Sequence, residues 1–167
     1  FEQTADNREY DNTYNYLMDA LFAQSKFEEA MQYLEERYSN AMQSGDTLKI
    51  LKALHRIFAI SRLSGNYEKS FLFTQQAYDL ALKANNKIWI ANSLYNMAQL
   101  YMLVEDYPTA LFYFRKVIQT DDNETRTERI NNQNDIWFKM EFAEVFSHLN
   151  QFKSAWHYYN LYKPSKE

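Results

Sequence analysis

A four-residue signature returns at a near-constant interval along this chain, and that interval constrains the fold more than any other feature. Phe27-Glu-Glu-Ala30, Tyr67-Glu-Lys-Ser70, Tyr107-Pro-Thr-Ala110 and Phe152-Lys-Ser-Ala155 each set an aromatic three residues ahead of a small residue. The aromatics lie 40, 40 and 45 residues apart. A fixed period in this range marks a chain of stacked supersecondary units.

A second signature runs ahead of the first. Ten residues before each aromatic stand Leu17, Ile57, Met97 and Phe142, followed by Met18, Phe58, Ala98 and Ala143. Six residues before stand Leu21, Ser61, Tyr101 and Phe146. Residues 91–118 show how the pair reads. Leu94, Met97, Ala98 and Tyr101 share one helical face. After the short break Val104-Glu105-Asp106, Tyr107, Ala110, Phe114 and Val117 mark the face of a second helix. So short a break folds the two helices into an antiparallel hairpin.

Only 2 Gly and 2 Pro occur in 167 residues, so the usual punctuation of strands is nearly absent. Met, Leu, Ala, Glu, Lys and Gln dominate the long segments and favour helix. The reading is all-α, in about four hairpins over 13–44, 46–84, 86–119 and 125–162, with a polar lead-in at 1–12 and a tail at 163–167. Gly45 suits a left-handed helix end, and Asp46 and Asp106 suit N-caps, with Pro108 tolerated in the first turn. Gly65-Asn66 and Ala84-Asn85-Asn86 are the other breaks. The small residues Ala30, Ser70, Ala110 and Ala155 would sit where two helices cross at about 8–10 Å. The aromatic one turn earlier would plug the gap between hairpins. The run Thr120 to Arg129 holds the five extra residues of the last interval. It reads as a longer loop or as added helical turns; the seven-residue spacing of Ile130 and Trp137 favours the second.

The pattern resembles the tetratricopeptide repeat (TPR) over nearly the whole chain, best in Leu94, Met97-Ala98, Tyr101, Asp106-Tyr107, Ala110, Phe114 and Val117. The resemblance implies a right-handed α-α superhelix. It departs from the family in its period of 40 rather than 34, in the missing closing proline, and in Phe58 where a small residue is preferred, which suggests a splayed second hairpin. Lengthened repeats of this kind look like those of bacterial peptide-sensing regulators and of the input halves of sensor kinases and transcription factors. The implied function is a non-catalytic protein or peptide interaction module without cofactor, within a signalling or regulatory protein. The alternative is a free-standing scaffold or adaptor.

In TPR arrays the first helices line a concave groove. That implies a partner-binding set of Asn15, Asp19 and Phe22; Lys52, His55, Arg56 and Arg62; Asn92, Tyr95, Asn96, Gln99 and Met102; and Trp137, Met140, Glu141, Glu144 and His148. Asn92 and Asn96, four apart on a helix, would offer amides to an extended backbone. The lysine–asparagine–arginine clamp that holds chaperone tails in some TPR proteins is not reproduced. Its matching positions would be Asn15, Asp19, Arg56, Asn92 and Asn96, or His55, Ala59, Asn96, Trp137 and Glu141.

Net charge −4 does not favour a phosphate backbone, so direct nucleic-acid binding is not expected. The charge is uneven. Residues 1–45 carry three basic and nine acidic side chains, 46–90 carry seven and three, and 91–167 carry eight and ten. The basic middle raises the hypothesis that Lys52, Arg56 and Arg62 attract an anionic group; the plainer reading is a solvated helix face. Glu144 and His148, four apart and near Glu141, are the only arrangement with metal-site or enzymatic potential, and too few ligands accompany them for a metal site to be expected. Glycine-rich phosphate loops are excluded by composition.

Cysteine is absent, which excludes disulfides and thiolate metal sites. No apolar run reaches the roughly 18 residues of a membrane span. The start FEQTADNREY has neither initiator Met nor signal-peptide pattern, so a piece of a longer polypeptide is expected. A homo-oligomer would then form through flanking modules. The compartment would be periplasmic in a membrane-anchored sensor and cytoplasmic otherwise.

Overall fold

The computed structural model describes residues 14, 16–120 and 134–162, the last with side chains from 138 to 157. The expectations for 1–12, 120–130 and the tail, and those for the side chains of Asn15 and Trp137, fall largely or wholly outside these residues.

Every described element is a helix: α1 (16–23), α2 (Phe27–Ser44), α3 (Thr47–Leu63), α4 (Tyr67–Lys83), α5 (Lys87–Leu103), α6 (Tyr107–Gln119), α7 (Asn134–His148) and α8 (Phe152–Tyr162). From α2 to α8 each helix packs on the next, and α3 touches α5 as α5 touches α7. The result is an all-α repeat solenoid of four hairpins, with the first helices of hairpins two to four forming one continuous layer. Its interior is divided in the same way. One core joins α1, α2 and α3 through Met18, Leu34 and Ile57. A second joins α2, α3 and α4 through Ala41, Leu54 and Ala77. A third joins α5, α6 and α7 through Leu94, Phe114 and Phe142. Each hairpin buries its apolar face only against its neighbours, as a quasi-one-dimensional stack must.

The turns explain the period. A left-handed residue stands at Ser25, Gly45, Gly65, Asn85 and Glu105, every 20 residues, and again at Asn150. Two residues later the next helix begins. The residue between them caps it where the side chain allows. Asp46 Oδ1 accepts from the N–H groups of Leu48 and Lys49 at 3.0 and 3.1 Å. Asn66 accepts from Lys69 N–H, Asn86 from Trp89 N–H and Asp106 from Thr109 N–H, at 3.0–3.2 Å. Such caps are each worth about 1 kcal/mol.

Gly65 has φ +76°, and a Cβ there would meet no atom within 4 Å. Gly65→Ala is therefore expected to lower stability by about 1 kcal/mol through backbone conformation alone. Glu105→Gly, at φ 59°, should act in the opposite direction. Denaturant titration of both variants checks the pair.

The crossing residues Ala30, Ser70 and Ala110 are fully buried. Phe58 does not splay the second hairpin. α3 packs on α4 as extensively as α5 packs on α6. The Ser70 hydroxyl reaches the Phe58 carbonyl at 3.4 Å, and the Phe58 ring lies near His55 and Arg62. The aromatic plug holds only in part. Phe27 and Tyr107 pack on their cores, whereas Tyr67 and Phe152 stay exposed. Other rings fill those seams: Tyr38 meets Phe73 edge-on, and Phe71 meets Tyr101.

Candidate functional site

The layer formed by α3, α5 and α7 brings several of the expected groove residues into direct contact. Successive hairpins stack side by side, so side chains 41 and 42 residues apart meet. Asn96 of α5 donates its amide N–H to His55 Nδ1 of α3 at 3.1 Å. Gln99 of α5 donates to Glu141 Oε1 of α7 at 2.9 Å.

His55 is the drier of the two centres. Its ring lies edge-on to Trp89 at 5.9 Å and beside Phe58 at 6.0 Å. Burial, reinforced by the Arg56 charge, lowers its pKa to about 4. The imidazole is thus neutral at pH 7, and accepting at Nδ1 leaves its proton on Nε2. Asn96 is only 3% exposed. Its amide is engaged inside the layer and does not stand in the groove beside half-buried Asn92.

The second centre is more open and less complete. Burial raises the Glu141 carboxyl above its ordinary range, against the opposing influence of Gln99, Tyr95 and Arg62. Burial also raises Tyr95, with the neighbouring Glu141 charge adding to it. The Tyr95 hydroxyl lies beside the carboxylate, where hydrogen bonding to it opposes the rise at Glu141. Glu141 Oε2 is buried with no hydrogen-bond partner among the described residues, and so is Arg62 Nε. One is an acceptor and the other a donor. Leaving either unpaired costs about 1–3 kcal/mol, more for a charged group, so such atoms call for an explanation.

The remaining expected residues lie elsewhere. Lys52 is exposed, Arg56 is half-buried and engaged, and Arg62 belongs to the Glu141 centre. Ten residues separate Lys52 from Arg62, about 15 Å along a helix, so the three cations do not converge on one anion. Asp19 and Met140 are exposed, and Phe22 and Met102 are partly buried. His148 lies 3.9 Å from Glu144 in a pair open to solvent, and its ring stacks on Tyr107 at 4.0 Å. Glu141, by contrast, reaches Gln99 on α5, so Glu141, Glu144 and His148 do not act as one constellation. Among the described residues no three metal-ligating side chains come together. Nor is any described helix long and apolar enough to cross a membrane.

Sequence reasoning named every polar member of this cluster but not its pairings. The offsets of 41 and 42 residues, close to the repeat period, were the available signal. Compared with known proteins, the chain matches no family model and no curated relative.

Proposed function

We propose that this chain is a non-catalytic interaction module that holds an extended protein or peptide segment against the α3–α5–α7 layer. The resemblance to TPR arrays supports the sensing or interaction part of a bacterial signalling or regulatory protein as its setting, with a free-standing scaffold as the alternative. One observation carries the reading: Arg62 Nε and Glu141 Oε2, a donor and an acceptor, are both buried on the same layer with no hydrogen-bond partner among the described residues. Peptide groups carry a carbonyl and an N–H, the complement of this donor and acceptor, and would meet them without adding charge once the side chains covering the two atoms move aside. Tyr95 and Gln99 would frame it, with the aromatic ring offering apolar contact.

Selection of a random peptide library displayed on phage against the intact chain tests this. The expected result is a family of enriched sequences whose binding falls at least tenfold in Arg62→Met and in Glu141→Leu. Lys52→Met should bind them unchanged. Failure to enrich any family, or binding indifferent to both variants, would overturn the proposal.

A further inference from the structure

A cavity of about 430 Å³ opens where α6, α7 and α8 meet. It is separate from the Arg62–Glu141 centre and shares no residue with it. Its floor is apolar, made by Ile118, Phe142 and Phe146. Its rim is cationic and polar, carrying Arg115 from α6 and Lys153, Ser154 and His157 from α8. No carboxylate lines it among the described residues.

The volume falls within the roughly 300–1,000 Å³ of small-molecule pockets, which pair apolar walls with a few placed polar groups. Arg115 offers a planar fork suited to a carboxylate, and Lys153 adds a second positive charge from the facing helix. Ile118, 40% exposed, gives the floor its accessible apolar surface, and the nearly buried Phe142 and Phe146, their rings 4.8 Å apart, close it from beneath. An inorganic anion would engage the rim and leave the floor wet. A neutral apolar molecule would cover the floor and leave the cations without a partner.

We propose that this cavity binds an organic carboxylate bearing an aromatic or branched apolar body. The carboxylate sits between Arg115 and Lys153 with the Ser154 hydroxyl beside it, and the apolar body lies on Ile118, over the edges of Phe142 and Phe146. A free amphipathic acid and the C-terminal residue of a peptide share this chemistry. The site would be a second, independent input to the solenoid at the seam between its last two hairpins.

Calorimetric titration of the intact chain tests it, with 3-phenylpropionate, N-acetylphenylalanine, N-acetylphenylalaninamide and acetate as probes. The two phenyl carboxylates should bind saturably, and the amide and acetate at least tenfold more weakly. Arg115→Met with Lys153→Met should abolish the preference for carboxylate over amide. Both residues are exposed, so the fold should survive, and circular dichroism verifies this. Arg62→Met should leave the titration unchanged, which separates this site from the inner layer. N-acetylphenylalanine binding tenfold tighter than phenylpropionate would identify a peptide terminus as the source, and the reverse order a free acid. Absence of saturable binding by either carboxylate would overturn the proposal. So would equal binding of the amide, or unaltered binding by the double variant.

Discussion

Phe114→Ala is expected to lower the stability of the chain by about 3–5 kcal/mol, as large-to-small changes at a filled aromatic site do. Phe114 is fully buried. Its ring contacts Tyr95 of α5 and Phe138 and Phe142 of α7, with centroids 5.3–6.1 Å apart. It therefore joins three helices that belong to two hairpins. Phe112, two residues away, is 52% exposed and contacts mainly Tyr113 and Lys116. Phe112→Ala should change stability by less than about 1 kcal/mol. In a one-dimensional stack the damage should also stay local. Amide exchange should quicken in α5, α6 and α7 and change little in α2 and α3. Denaturant titration of the two variants, with exchange on the first, checks both statements. Equal losses at positions 112 and 114 would contradict the packing.

The second large effect is a dependence on pH that originates at His55. In the unfolded chain its pKa is 6.5; in the fold it is lowered to about 4. Between these values the unfolded state binds the extra proton and the folded state does not. Stability is thus fully present above pH 6.5 and falls as pH drops towards 4. The size follows from about 1.4 kcal/mol for each pKa unit, giving on the order of 3 kcal/mol across the window. Glu141 acts in the other sense. Its folded pKa is raised, so the fold retains the proton longer and loses stability as pH rises through that range. His55→Gln should flatten the acid-side slope relative to the parent chain. Glu141→Gln, which keeps an acceptor for Gln99, should raise stability at neutral pH. Thermal melts from pH 4 to 7.5 on the three proteins measure this. Identical slopes in the parent and His55→Gln would place the histidine in water rather than against Trp89 and Asn96.

The helices and their ends were legible because their signals are local. Asp46, Asn66, Asn86 and Asp106 each cap the helix that follows, and Gly45 and Gly65 take the left-handed turn only they adopt freely. Ser25 and Glu105 adopt the same turn without any residue to announce it. Their conformation comes from the stack, which holds both flanking helices in place. Faces were legible where a helix is buried on one side only. α5 is packed by α3, α4, α6 and α7, so polar Ser93 and Asn96 lie inside it. The resemblance to TPR arrays places Asn96 beside Asn92 in a groove, because spacing along one helix says nothing of a helix 41 residues away. The Gln99–Glu141 contact was harder to read: the aligned repeats pair Met97 with Phe142 and so Gln99 with Glu144, three residues beyond its actual partner. It depends on how far each hairpin rotates from the last, and the unequal interval of 45 residues before α7 conceals that.

Hydrogen–deuterium exchange of the intact chain with and without a phage-selected peptide tests the central claim most directly. If an extended segment lies along the first helices, the peptide should slow exchange around Arg62, around Gln99 and in the part of α7 that carries Glu141. The second helices α2, α4 and α6 should be unaffected. Protection confined to those second helices, or absent from all three sites, would contradict the account.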